Sequence, residues 1–244
     1  MSYMKEKNIH TPEKFIIAID GPSGAGKSTL SRLLAERLSY TNINTGAMFR
    51  TVALAIDRAG LSLDDNEAIE KLCHQLHIHF KNDGGQETVW LGDEDVSELI
   101  RGSEMSMLTS QISALPVVRK SLLDLQREMA EHGGVVLEGR DIGSVVFPDA
   151  QVKFFLCASD EARGLRRHEE LLSNGFDSDL EQTIAEVRQR DDADSSREHA
   201  PLVRAEDAIT IDSTNMNIEQ VLEKMISVVE HRHDELFMGK ASGE

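Results

Sequence analysis

Apolar residues along the chain fall into short runs that alternate with helically spaced ones. Phe15-Ile16-Ile17-Ala18-Ile19 is brief and rich in β-branched side chains, and Asp20-Gly21-Pro22 stops it. This predicts a buried strand ended by a turn. Leu30, Leu33, Leu34 and Leu38 then recur at helical spacing, which predicts a helix over 27–38. Strand signals return at Val135–Leu137, Val152–Leu156 and Ala208–Ile211, and helical patterns at about 46–59, 116–131, 159–172, 180–192 and 217–231. Strands alternating with helices predict an α/β fold with a mostly parallel sheet flanked by helices. Two regions break the alternation. Residues 76–96 read as a hairpin, His77–Phe80 and Thr88–Leu91 around Asp83-Gly84-Gly85. Residues 160–198 are nearly all helix formers and charges, interrupted at Asn174-Gly175, and predict a helical hairpin standing off the core. One domain over 14–232 is expected, between a disordered N-terminal extension (1–13) and a polar tail (233–244).

Composition narrows the function classes. At 40% hydrophobic and 28% charged, the 244 residues are ordinary for a soluble globular protein. Lys and Arg number 26 against 43 Asp and Glu, a net charge of −17. That balance argues against a nucleic-acid binder, which needs a broad positive surface, but leaves room for a small phosphate ligand held by converging arginines. Cys73 and Cys157 cannot build a disulfide framework and fit a reducing compartment. No run approaches the ~20 apolar residues of a membrane span, and none precedes Phe15 that would read as a secretory signal. A cytoplasmic protein with no membrane partner is expected, and monomer is the default.

Gly21-Pro22-Ser23-Gly24-Ala25-Gly26-Lys27-Ser28 matches the phosphate-binding pattern G-x4-G-K-[ST], between a predicted strand and a predicted helix. Glycines let backbone N–H groups converge on a phosphate, and the helix presents its positive end to the same anion. Lys27 is placed to reach the β- and γ-phosphates and Ser28 to ligate Mg²⁺. No Asn-Lys-x-Asp guanine-reading motif occurs, and Gly84-Gly85-Gln86 lacks the Leu-Ser of a transporter ATPase signature. Glu138 and Asp141, after the strand signal at 135–137, are candidate acidic groups for the metal.

The arginines add more. Arg163, Arg166 and Arg167 share one turn of the expected hairpin, and Arg188, Arg190 and Arg197 follow on its return, six in 35 residues. A solvated salt-bridge face is the ordinary reading of such a run. Beside a P-loop, a phosphate clamp in a closing lid is the better one. Asp192-x-Asp194-x-Ser196 fails as a calcium loop, because Arg197 and Val203 replace the needed Gly and Glu. His74, His77 and His79 read as solvated positions, Met105 and Met107 as packing, and Trp90 as a hairpin side chain covering the core.

Several further motifs occur in order: Asn44-Thr45-Gly46-Ala47-Met48-Phe49-Arg50, Glu138-Gly139-Arg140-Asp141-Ile142-Gly143, Val146-Phe147-Pro148-Asp149-Ala150, and Arg190-Asp191-Asp192-x-Asp194 with Arg197 and Ala200-Pro201-Leu202. With the P-loop they resemble the bacterial cytidylate (CMP) kinase family, collinearly over about 15–230. The resemblance implies transfer of the γ-phosphoryl of ATP to CMP or dCMP with Mg²⁺. It further implies a monophosphate-binding insertion at about 60–115, containing the small antiparallel sheet, and a lid at about 160–198. By resemblance Gly21, Pro22, Ser23, Gly24, Ala25, Gly26, Lys27, Ser28 and Thr29 bind ATP phosphates, with Arg163, Arg166 and Arg167 in the lid. Thr45, Arg119, Asp141 and Arg197 read the cytosine end, and Ser110, Arg190 and Asp194 lie near the pentose. Arg50 and Arg140 help hold the acceptor phosphate, and Lys27, Arg140, Arg163 and Arg190 carry the catalytic charge. Asn44, Phe49 and Glu138 stand where the family more often has Asp, Tyr and Asp, and Arg37 has no assigned role. The alternatives are a kinase of the same build acting on another acceptor such as UMP, or a nucleotide-binding switch.

Overall fold

The computed structural model describes residues 14–83 and 86–237. The expected extension at 1–13 lies outside them, as do residues 238–244 of the expected tail. Its central sheet has five parallel strands: β1 (Ile16–Asp20), β2 (Thr41–Asn44), β6 (Val135–Gly139), β7 (Val152–Cys157) and β8 (Ile209–Asp212), in spatial order β2-β6-β1-β7-β8. Side chains of alternate residues leave opposite faces of a strand. Ala18, Ile43, Val135 and Leu137 therefore face one apolar cluster, with helices α2 (Thr45–Ala59) and α5 (Pro116–Met129). Ile17, Ile19, Val136, Phe154 and Ile211 face the other, against α1 (Lys27–Leu38) and α8 (Ile218–Phe237). Burial on both faces explains why β1, β6 and β7 read as apolar runs, broken in β7 only by Lys153 and followed in β6 by Glu138.

Between α2 and α5 the chain makes α3 (Asn66–Cys73), a three-stranded antiparallel sheet, and α4 (Ser103–Ile112). The sheet pairs β3 (Ile78–Asp83) with β4 (Gln86–Leu91) and adds the short β5 (Glu94–Asp95). After β7 come the hairpin helices α6 (Asp160–Ser173) and α7 (Leu180–Ser195). Three expectations need correcting. Trp90 does not cover the core: its neighbour Val89 is buried, while Trp90 turns to the other face, where Lys81 sits over its ring and His79 stacks on it. Met105 packs on the core as expected, but Met107 is exposed. The last helix also runs beyond 231, to Phe237, so 233–237 is helix rather than tail. Among the described residues no helix is long and apolar enough to cross a membrane.

Candidate active site

The P-loop joins the carboxyl end of β1 to α1, whose first residue is Lys27. Gly24 has φ +73°, and a Cβ there would lie 2.7 Å from the Arg163 carbonyl oxygen, so the loop packs against α6 in a form only glycine allows. The Lys27 ammonium folds back to donate to the Pro22 carbonyl at 2.7 Å. Burial, then the neighbouring charges of Arg140 and Arg190, lower its pKa to about 7. Ser28 and Thr29 are exposed at the mouth of the loop.

A cleft of about 1020 Å³ opens along the carboxyl ends of the parallel strands, where open α/β sheets bind ligands. The P-loop lines one end, from Ser23 to Thr29. Arg50 from α2, Arg140 after β6, Arg167 from α6 and Arg190 from α7 converge on its middle. Burial and then Arg167 lower the Arg50 pKa to about 10, and burial, Arg140 and Arg50 lower that of Arg190 to about 9. The Arg190 Nε is buried with no hydrogen-bond partner. A crowd of cations that depress one another, one of them short of an acceptor, is a site built for a multiply charged anion.

The far end of the cleft is polar and paired. Asp141 forms an ion pair with Arg119, whose Nη1 also donates to the Ser113 carbonyl at 3.0 Å. Asp194 accepts from Arg140 Nε at 2.8 Å and from Arg197. Burial works to raise the Asp194 pKa, but Arg140, Arg197 and Arg190 outweigh it and hold the carboxyl below its ordinary range. Thr45 Oγ1 donates to the Glu138 carbonyl at 2.6 Å, and Asn44 caps α2 by accepting from Ala47 N. An Asn at 44 thus serves as the cap.

Most residues singled out in the sequence meet in this cleft, but Gly21, Pro22, Arg163 and Ser110 do not line it. Arg163 is buried and points away: it donates to the carbonyls of Ser23 and Ala158 and pairs with Asp160 and Asp191. It ties the P-loop to the α6–α7 hairpin, together with Asp191, which accepts from Ser23 N at 3.1 Å. Ser110 offers its carbonyl to Ser113 Oγ and is not part of the lining. Conversely, Glu87 and Ser213 line the cleft without having been anticipated. Glu87 accepts from Asn42 Nδ2 at 2.9 Å, and burial raises its pKa. Ser213 follows β8 and accepts from Arg166 through Oγ and carbonyl at 3.0 and 2.7 Å. Its position just past a strand of the sheet was the one available signal. Asp141 contacts Arg119 rather than Arg140, and no group of three His, Cys, Asp or Glu capable of holding a metal occurs among the described residues.

A family model described as cytidylate kinase matches residues 17–231. Named relatives agree. The cytidylate kinase of Syntrophotalea carbinolica is 61% identical over 219 residues, covering 90% of this chain and 93% of that protein. That of Citrifermentans bemidjiense is 56% identical, covering 95% and 97%. That of Geobacter sulfurreducens is 58% identical, covering 89% and 93%. A collinear match of this depth, on a fold whose cleft joins a P-loop to an arginine cluster, decides the matter: the chain belongs to the cytidylate kinase family.

Proposed function

We propose that the chain transfers the γ-phosphoryl group of ATP to CMP or dCMP, giving ADP and CDP or dCDP. The observation that carries this reading is the half-buried cluster of Arg50, Arg140, Arg167 and Arg190, with the Arg190 Nε left without an acceptor, between the P-loop and the Asp141–Arg119 pair. Phosphoryl transfer needs little covalent chemistry from the protein; alignment of donor and acceptor and charge neutralisation suffice. ATP phosphates lie in the loop from Gly21 to Thr29, with Lys27 on the β- and γ-oxygens. Arg140, Arg167 and Arg190 spread positive charge over the transferring group, and Arg50 holds the acceptor phosphate. Arg163 acts one step back, by fixing the loop that carries Ser23. The segment between α2 and α5 serves as the monophosphate-binding part and the α6–α7 hairpin as the lid, which excludes water when closed.

The residues fit a Mg²⁺ that arrives with ATP. Ser28 sits exposed in the first turn of α1, and the described residues offer no carboxylate cage, as suits an ion held chiefly by substrate oxygens. Bound there, Mg²⁺ would neutralise charge on the β- and γ-phosphates.

Choice of base rests on Asp141 and Arg119. Cytosine presents an amino donor and an N3 acceptor where uracil presents an oxygen and an N–H. A carboxylate beside a guanidinium complements the first and opposes the second, and such desolvated sites discriminate by as much as ~10⁴-fold. A coupled ADP-release assay with CMP, dCMP and UMP tests the activity; Asp141→Ala tests the reader. The expected result is rapid turnover with the cytidine nucleotides and a collapse of the CMP-to-UMP ratio of kcat/KM in the variant. A uniform loss for both acceptors would assign Asp141 to the phosphates instead.

A further inference from the structure

Asp20, the last residue of β1, does not line the cleft, and its side chain is only 4% exposed. Its Oδ1 accepts from Ile142 N at 2.8 Å and its Oδ2 from Gly143 N at 2.7 Å. Those are the first two amides of a single wide helical turn, Ile142–Val146, which begins directly after Asp141. The Asp141 carbonyl closes the turn by accepting from Val145 N at 2.9 Å and Val146 N at 3.1 Å.

Other elements hold the far end of the same turn. Arg127 Nε of α5 donates to the Val146 carbonyl at 3.2 Å, and Lys153 Nζ of β7 donates to the Pro148 carbonyl. Lys153 is itself buried and paired with Asp207 at 2.8 Å. Gly143 is boxed in: a Cβ would lie 3.1 Å from Lys153 Cδ and 3.3 Å from Asp20 Oδ2. A short turn pinned at both ends, on the core side of the residue beside the base, has little freedom to shift.

A buried carboxylate is an expensive way to satisfy two amides. Burial raises the Asp20 pKa to about 6, against the two backbone hydrogen bonds that lower it; Asp141 adds to the rise and Lys27 opposes it. Asparagine would be nearly isosteric, but it offers one acceptor and one donor to a pair of N–H groups. Only a carboxylate accepts both.

We propose that Asp20 is a positioning residue for base selection, which fixes the 141–146 turn and through it the place where the Asp141 carboxylate meets the acceptor base. The proposal rests on the reading of Asp141 given above. Asp20 touches neither nucleotide and acts through Ile142 and Gly143.

The test replaces Asp20 by Asn and, separately, Gly143 by Ala, which keeps the Asp20 carboxylate but crowds the turn against it and against Lys153. Both variants are expected to raise KM for CMP about 10-fold or more, to leave KM for ATP within about twofold, and to lower the CMP-to-UMP ratio of kcat/KM about 10-fold. Val229→Ala, a buried cavity variant in α8 on the opposite layer, controls for general loosening and is expected to change neither KM nor the ratio. If Asp20→Asn fails to fold, Gly143→Ala decides by the same readings. An unchanged ratio in the folded variants, or an equal rise in both KM values, overturns the proposal. Asp141→Ala is assayed beside them. If it collapses the ratio while the turn variants do not, only the positioning role falls; if it leaves the ratio intact, the reading of Asp141 falls and this proposal with it.

Discussion

Lys27 sets binding against stability at a single side chain. Its ammonium is buried beside Arg140 and Arg190, and the pKa drops from 10.5 to about 7. Between those two values the unfolded chain binds the extra proton, so this group makes stability rise with pH across that window; below about pH 7 the folded protein carries the buried charge at a cost. Lys27→Met removes that cost and one hydrogen bond to Pro22, worth about 1 kcal/mol. The variant should therefore melt no lower than wild type at pH 6–7, while kcat/KM falls at least about 10²–10³-fold. Thermal melts and steady-state kinetics on one preparation check both halves. Because bound phosphates favour the charged form, ATP binding near pH 8 should also draw a proton from solution, visible as a dependence of calorimetric heat on buffer. The chemistry of Lys27 was legible in the sequence because the P-loop pattern fixes both residue and direction. Arg163 was legible only as charge. It sits three residues from Arg166, close to one turn of helix, yet it faces the P-loop backbone while Arg166 reaches Ser213, and composition holds no record of such a difference in heading.

At the scale of elements, the α6–α7 hairpin meets the segment between α2 and α5 over the cleft. Phe176, in the loop between the two helices, lies over Gly102, Arg101 Nη1 donates to Asn174 Oδ1 at 3.2 Å, and Arg167 Nη2 reaches Ser106 Oγ at 3.4 Å. Phe176 remains 40% exposed, so its contact contributes about 1 kcal/mol, roughly a fivefold factor in opening. Phe176→Ala should accordingly speed amide exchange across 160–195 about fivefold in the free protein. A bisubstrate analogue should slow exchange there in both proteins, and more than ATP alone does. Equal protection by either ligand would argue against a lid. The long helices and central strands were readable from period and β-branching. β2 escaped because Thr41-Asn42-Ile43-Asn44 has one apolar residue, and α3 because eight residues bury only Ile69. The turn at 142–146 has no period at all; Asp20, Arg127 and Lys153 make it from outside.

The whole molecule carries a net charge of −17, yet gathers arginines from α2, α6, α7 and the loop after β6 into one cleft. Charges concentrated in this way repel one another until an anion arrives, so ligand binding should stabilise the fold strongly. At 100 times its Kd, an analogue joining adenosine to cytidine through a phosphate chain adds about 2.7 kcal/mol, which corresponds to a rise in Tm of about 5–10 °C for a chain of this size. Its uridine counterpart at the same concentration should raise Tm less; equal shifts would count against selection of the base. The outward-facing Trp90 has a consequence for how such binding is watched. It is the one tryptophan of 244 residues, and it stands on the small sheet with Lys81 over its ring, while Val89 beside it turns to the cleft. Excitation at the red edge of protein absorbance therefore lights a single reporter. Its emission should answer to the acceptor-side segment rather than to the P-loop, so a stopped-flow trace is expected to time the arrival of the acceptor nucleotide apart from that of ATP without any label being introduced.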